Sequence, residues 1–272
     1  MSWKKKKKQI NHVKHKVKLI IYLMFTVVIG LIILLGFKVF KPRTTFKVES
    51  RVLNVEKIGN IKDSTYEAIG WLRIQGTDVD LPILYTDDKK NDFPVEVEDF
   101  VWTNNISKKF TKQINISGHN IFNLSSHPKI KSDSFHRLEQ LMAFIYYDFA
   151  KDNQYVQLTW DGKDYVYKIF YVGFLNEVDS AYINGFNDIT DEQLKLEEKV
   201  FKKTSFYNYD VDVNENDKII TLTTCTRFYG VDSDVEFYVA GRMLREDEKI
   251  EHYKVTKNSN YNEIEKKLKG DE

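Results

Sequence analysis

The sequence is short of the residues that mark several common protein classes. Cys225 is its only cysteine in 272 residues, so neither an internal disulfide framework nor a cysteine-rich zinc site can form. Four prolines and twelve glycines exclude collagen-like or low-complexity character. There is no glycine-rich loop of the kind that cradles nucleotide phosphates. Acidic residues are absent from residues 1–47, which hold twelve Lys or Arg. Of the 41 basic and 40 acidic residues in the chain, the other 225 residues therefore carry 29 basic and 40 acidic groups, a balance of −11. A bulk of that sign repels phosphate, so no nucleic-acid partner is expected. At 42% hydrophobic and 14% aromatic, the chain is not disordered and can bury a real core.

What is present begins with a membrane signature. Residues 4–8 are all lysine, with Lys14, Lys16 and Lys18 behind them, and residues 19–37 carry no charge. As a helix that run spans roughly 28 Å, close to the hydrocarbon thickness. A cleaved signal peptide has a shorter apolar region and a small-residue cleavage site; here Gly36 is followed by Phe37, Lys38 and Val39, so a retained single-pass anchor is expected. Eight lysines precede the run and four basic residues follow it through Lys47. The positive-inside tendency then keeps the N-terminus cytoplasmic and sends residues from about 48 onward outside the cell membrane.

The exported part reads as mostly β with added helices. Residues 1–18 form the basic segment, 19–37 the anchor, 38–68 a linker and helical lead, 69–244 one domain and 245–272 a charged, peripheral tail. Val52, Val55, Ile58, Ile61 and Tyr66 recur at helical spacing. Strands are expected over 69–74, 79–84, 100–103 and 114–117, and a helix over 134–149. Residues 155–160 and 165–175 alternate on either side of Asp161-Gly162-Lys163, a hairpin signal. Thr190 and Gln193 have capping-box spacing ahead of a helix over 190–206. Two further strands, 218–225 and 236–244, end the domain.

Cys225 falls where the β-branched run 219–225 ends. A lone cysteine can be a small buried hydrophobe, yet an exported protein gains little from an unpaired thiol open to oxidation. A thiol nucleophile needs a proton-transfer partner, usually histidine. His12 and His15 precede the span, and His252 lies in the polar tail. His127 and His136 read as solvated surface residues. His119 follows a strand and a glycine turn, so it too stands at a strand end.

Thr221-Leu222-Thr223-Thr224-Cys225, the upstream Ser117-Gly118-His119-Asn120, the basic anchor and the hydrophobic exit strand together resemble the sortases. The helical lead and the helix-containing insert before the cysteine strand look most like class B. The resemblance covers roughly residues 48–244. It implies an eight-stranded β-barrel, a cysteine transpeptidase without metal or cofactor, Cys225 as nucleophile and His119 as acid/base. It further implies attack on a sorting-signal threonine carbonyl of a secreted protein, a thioester, and resolution by an amine. That amine would come from a cell-wall cross-bridge precursor or a pilin lysine. Thr223, Thr224 and Ser117 would line the substrate groove; Ser117 stands where class B enzymes often have tyrosine.

One departure is chemical. Aligning Gly241-Arg242 to the family's exit strand puts Glu236 where sortases carry an arginine. Arginine would offer fixed donors to an oxyanion, whereas an ionised carboxylate repels both oxyanion and thiolate. Arg227 is the candidate replacement donor; Arg242, six residues along the strand from Glu236, is about 20 Å away. The rival readings are a slipped alignment with a differently folded loop, a catalytically impaired module that binds sorting signals, and a cysteine protease using water. Asp87, Asp88, Asp92, Glu96, Glu98 and Asp99 lack the spacing of an EF-hand calcium loop and read as a solvated acidic face.

Overall fold

The computed structural model describes residues 18, 22, 24, 26, 46–51, 67–85, 101–103, 108–131, 138–184 and 189–270. The chain divides into two units, residues 1–44 and 45–272. In the first, the four described residues are helical. Among the described residues no helix is long and apolar enough to cross a membrane. Most of the expected anchor, 19–37, lies outside them, as do residues 52–66 of the expected helical lead and the acidic stretch 87–99.

In the second unit, the strands in chain order are β1 (Glu67–Ile74), β2 (Asp80–Tyr85), β3 (Val101–Thr103), β4 (Gln113–Ser117), β5 (Tyr155–Trp160), β6 (Lys163–Asn176), β7 (Tyr207–Tyr209), β8 (Ile219–Cys225), β9 (Val235–Met243) and β10 (Val255–Lys257). Eight close into a barrel in the order β1-β2-β3-β4-β8-β9-β6-β5, while β10 and β7 form a separate pair. This is the eight-stranded barrel that the sequence motifs implied. Two neighbours run parallel, β2 with β3 and β4 with β8. The β5–β6 hairpin forms as expected. Asp161 (φ 49°) and Gly162 (φ 71°) are both left-handed, which is what a two-residue turn matching strand twist requires.

Between the strands lie a 3-10 helix (Leu138–Ile145), α1 (Tyr147–Asp152), α2 (Glu177–Asn184) and α3 (Asp191–Thr204). The single helix expected over 134–149 is instead two pieces. Tyr146 between them is extended, at φ −87° and ψ 121°, and its hydroxyl donates to the Pro128 carbonyl at 2.6 Å. The 3-10 helix is buried on all sides, so its polar residues act as internal hydrogen-bond groups. Gln140, for example, accepts from the Asp78 amide at 2.9 Å and donates to the Asp78 carboxylate at 3.0 Å. On α3 the capping box is formed: Thr190 Oγ1 accepts from the Gln193 amide at 3.2 Å, and Gln193 Oε1 from the Thr190 amide at 2.8 Å. Its inward face carries Leu194, Glu197 and Phe201, the i, i+3, i+7 spacing of one helical stripe. Burying each of the two apolar side chains contributes about 1.5–3 kcal/mol.

The stretch after 244, expected from its charge to be peripheral, is built into the domain. Tyr253, Val255, Tyr261 and Ile264 join the main core. β10 pairs with β7, and α4 (Tyr261–Lys269) ends at Gly270 in the left-handed conformation, φ 76°. Tyr253 is buried and its hydroxyl donates to the Gln154 and Ile169 carbonyls, each at 2.7 Å. The sparse tyrosines and aliphatics of this segment fall on its inward side, and the lysines and glutamates cover the rest.

Candidate active site

β4 and β8 are far apart in sequence but lie side by side and parallel, from Gln113 opposite Ile219 to Ser117 opposite Thr223. Both strands point the same way, so the residues just beyond their C-terminal ends emerge together. The Gly118 amide continues the ladder to the Thr223 carbonyl at 3.2 Å. Thr224 Oγ1 donates to the Gly118 carbonyl at 2.7 Å, and Asn120 Nδ2 donates to the Cys225 carbonyl at 3.0 Å. These bonds bracket His119 and fix its backbone at the same end of the barrel as Cys225. A side chain at Gly118 would bring its Cβ within 2.5 Å of the Leu138 Cβ, so only glycine lets the turn pass over the 3-10 helix. The His119 ring packs against Trp102 of β3, centroids 4.7 Å apart.

The loop beyond His119 is pinned from beneath. Asn120 Oδ1 accepts from the Asn123 amide at 3.0 Å. The wholly buried Glu139 of the 3-10 helix accepts the Ile121 and Phe122 amides at 3.0 and 3.1 Å. The Arg227 amide donates to the Leu124 carbonyl at 3.1 Å, tying the segment after the cysteine to the loop after the histidine. Buried polar groups satisfied in this way fix a conformation more than they add net stability.

Cys225 reaches the surface, while Thr223, Thr224 and Ser117, expected in the substrate groove, are buried. Thr224 shapes the site by gripping Gly118. Glu236 pairs directly with Cys225 across β8–β9. Burial, followed by the Glu236 charge, pushes the Cys225 thiol up from its ordinary range; the Arg227 charge acts in the opposite sense. Arg227 is exposed, and its side chain makes no hydrogen bond or ion pair among the described residues. Arg242 sits opposite Ile219, at the other end of β8. It is fully buried and bonded to Glu248 and the Asp212 carbonyl, so it serves the far end of the barrel.

His127 is exposed beside Ser126, and His252 contacts the Lys151 carbonyl at 2.9 Å. His12, His15 and His136 lie outside the described residues. Sequence reasoning missed three site residues. Asn120 follows the Gly-His pair directly, so its place in the motif was the available signal. Tyr238 shares a strand face with Glu236 by period two, and its hydroxyl donates to Glu236 Oε2 at 2.9 Å. Ser180 of α2, which donates to the same oxygen, carried no signal.

A family model described as the sortase domain matches residues 72–244. Among solved structures, sortase B of Clostridium perfringens is 24% identical, with 71% of this chain and 100% of that chain covered at a TM-score of 0.54. The Staphylococcus aureus sortase B–substrate complex is 20% identical over 71% of this chain and 84% of that one, TM-score 0.53. Sortase B from the type II pilus of Streptococcus pneumoniae is 16% identical over 65% and 92%, TM-score 0.51. Among curated proteins none matches the chain.

Proposed function

The chain belongs to the sortase family of cysteine transpeptidases, and we propose that it is a membrane-anchored enzyme of the cell surface that cuts the sorting signal of secreted proteins and joins them to an amine. The parallel β4–β8 register, which delivers His119 and Cys225 to one end of the barrel, carries this reading. The Cys225 sulfur attacks the carbonyl carbon of the scissile peptide bond. The C–N bond breaks, the departing amine takes a proton from His119, and a thioester remains. A second amine then attacks that carbonyl and the sulfur leaves, so one difficult amide exchange becomes two acyl transfers. Arg227, the basic group nearest in sequence to the nucleophile, offsets the charge that develops on sulfur and oxyanion. The loops that follow His119 and Cys225 each expose an apolar side chain, Phe122 and Val231, which an extended peptide could cover. The anchor over 19–37 holds the domain outside the membrane, where wall precursors or pilins supply the amine.

Glu236 opposite Cys225 favours a second reading, a catalytically impaired module that binds the signal without cutting it. Incubating the protein with a panel of labelled sorting-signal peptides and an amine decides between them by mass spectrometry. A thioester on Cys225 and an amide product, both lost in Cys225→Ala and His119→Ala, are expected. Product formed only by hydrolysis would make it a cysteine protease, and binding without adduct across the panel would make it a binding module.

A further inference from the structure

Glu236 is built into the site. Its Oε2 lies 2.9 Å from the Tyr238 hydroxyl and within hydrogen-bond distance of Ser180; those two buried hydroxyls also hydrogen-bond each other at 2.6 Å, so their two protons are shared over three contacts. Oε1 has no hydrogen bond among the described residues, and the side chain is only half-buried. A carboxylate held this firmly beside a nucleophile opposes formation of thiolate and oxyanion, and it raises the thiol. It has the opposite effect on a cation. Glu177 and Asp179 on α2, and Asp232 and Asp234 on the loop before β9, share its sign, against Arg227 and, over the Phe228 and Tyr229 rings, Lys267. Such a field concentrates cations at the mouth of the site.

A transpeptidase needs a cation at one point in its cycle. The acceptor arrives as a primary ammonium, which has no lone pair until it loses a proton. We propose that Glu236 is the acceptor-amine receptor: it binds the ammonium beside the thioester and removes the proton that blocks attack. This rests on the transpeptidase reading above. In the step, the Glu236 carboxylate takes one proton from the ammonium. The nitrogen lone pair forms the new C–N bond at the thioester carbonyl, and the C–S bond breaks with its electron pair going to Cys225. The second nitrogen proton passes to the sulfur through His119, and Glu236 releases its proton to water. Tyr238 and Ser180 are positioning residues that leave Oε1 for the amine.

The test uses the full chain in detergent micelles, loaded as the Cys225 thioester with a sorting-signal peptide. Turnover is compared for triglycine amide and Nα-acetyl-lysine amide, both ammonium ions at neutral pH, and for hydroxylamine, which is uncharged there. Glu236→Gln keeps the size and an acceptor for Tyr238 and Ser180. The ratio of ammonium to hydroxylamine turnover is expected to fall roughly 100- to 10,000-fold in this variant, the range for a lost proton-transfer group. An unchanged ratio overturns the proposal. The arm that loses more, glycine or lysine, identifies the acceptor. Absence of any thioester in the native protein would sink the transpeptidase reading and this inference with it, whereas a thioester with an unchanged ratio sinks the inference alone.

Discussion

Glu197 offers a quantitative check on the packing behind the site. Its side chain is completely buried on the inner face of α3, with neither carboxyl oxygen hydrogen-bonded among the described residues, and desolvation pushes its pKa up to about 8 from an ordinary 4.5. The folded state therefore keeps the proton over a range in which the unfolded chain releases it. Below about pH 4.5 both states are protonated and the group is neutral in its effect. Between 4.5 and 8 the folded state binds more protons, so stability falls as pH rises, by up to about 1.4 kcal/mol per pH unit. Across the window the limit is about 5 kcal/mol; relaxation around the ionised group lowers it. Glu197→Gln removes the ionisation and keeps the size of the side chain. The variant is expected to match the native protein near pH 4.5 and to become progressively more stable up to pH 8, with a plateau beyond. Urea unfolding of both proteins from pH 4.5 to 9 measures the difference, in which the titration of every other group cancels. A difference that stays flat across this range would refute the assignment.

Asn120→Ala removes the side-chain bonds to the Cys225 carbonyl and to Asn123; unfolding should show a loss of about 1–3 kcal/mol, and thioester formation should slow through kcat with KM little changed. Native rates in that variant would show that Asn120 does not position the pair. Glu248 is held far below the usual carboxylate range, first by its bonds to Arg242. Its contribution is present above the unfolded carboxylate pKa and is lost as the pH falls through the depressed one. Glu248→Gln leaves the Arg242 charge buried and should cost about 3 kcal/mol at neutral pH, with the gap from native closing in strong acid; a gap that widens in acid would contradict the pairing.

Much of the architecture could be read from local chemistry. The β5–β6 hairpin was visible because alternation and Asp161-Gly162 agree, and the start of α3 because Thr190 and Gln193 cap each other. Cys225 and His119 were visible as strand-end residues, and Glu236 came from counting back along β9. What joins them was not legible, because the parallel pairing of β4 with β8 spans the whole insert between them. α2 was missed since it follows a long strand with little amphipathic character, starting where Asn176 Oδ1 accepts the Asp179 amide at 2.8 Å. β7 and β10 are three residues each, too short for any period to show. The break at Tyr146 follows from a tertiary contact to Pro128, which periodicity cannot register.

The family match stops at Leu244, and the packing on the segment after Cys225 does not. Lys267 of α4 sits over the rings of Phe228 and Tyr229, 5.7 and 5.8 Å from their centroids. Burial, together with Glu263 of the same helix, pushes the Tyr229 hydroxyl up to about 12. Phe228 and Tyr229 follow Cys225 by three and four residues. The Cys225 strand and the helix packed on the residues after it thus lie in separate stretches of chain, the one inside the family match and the other beyond it. Two members with the same cysteine and histidine strands can therefore diverge in what they admit, through changes to a helix that never touches the reacting atoms.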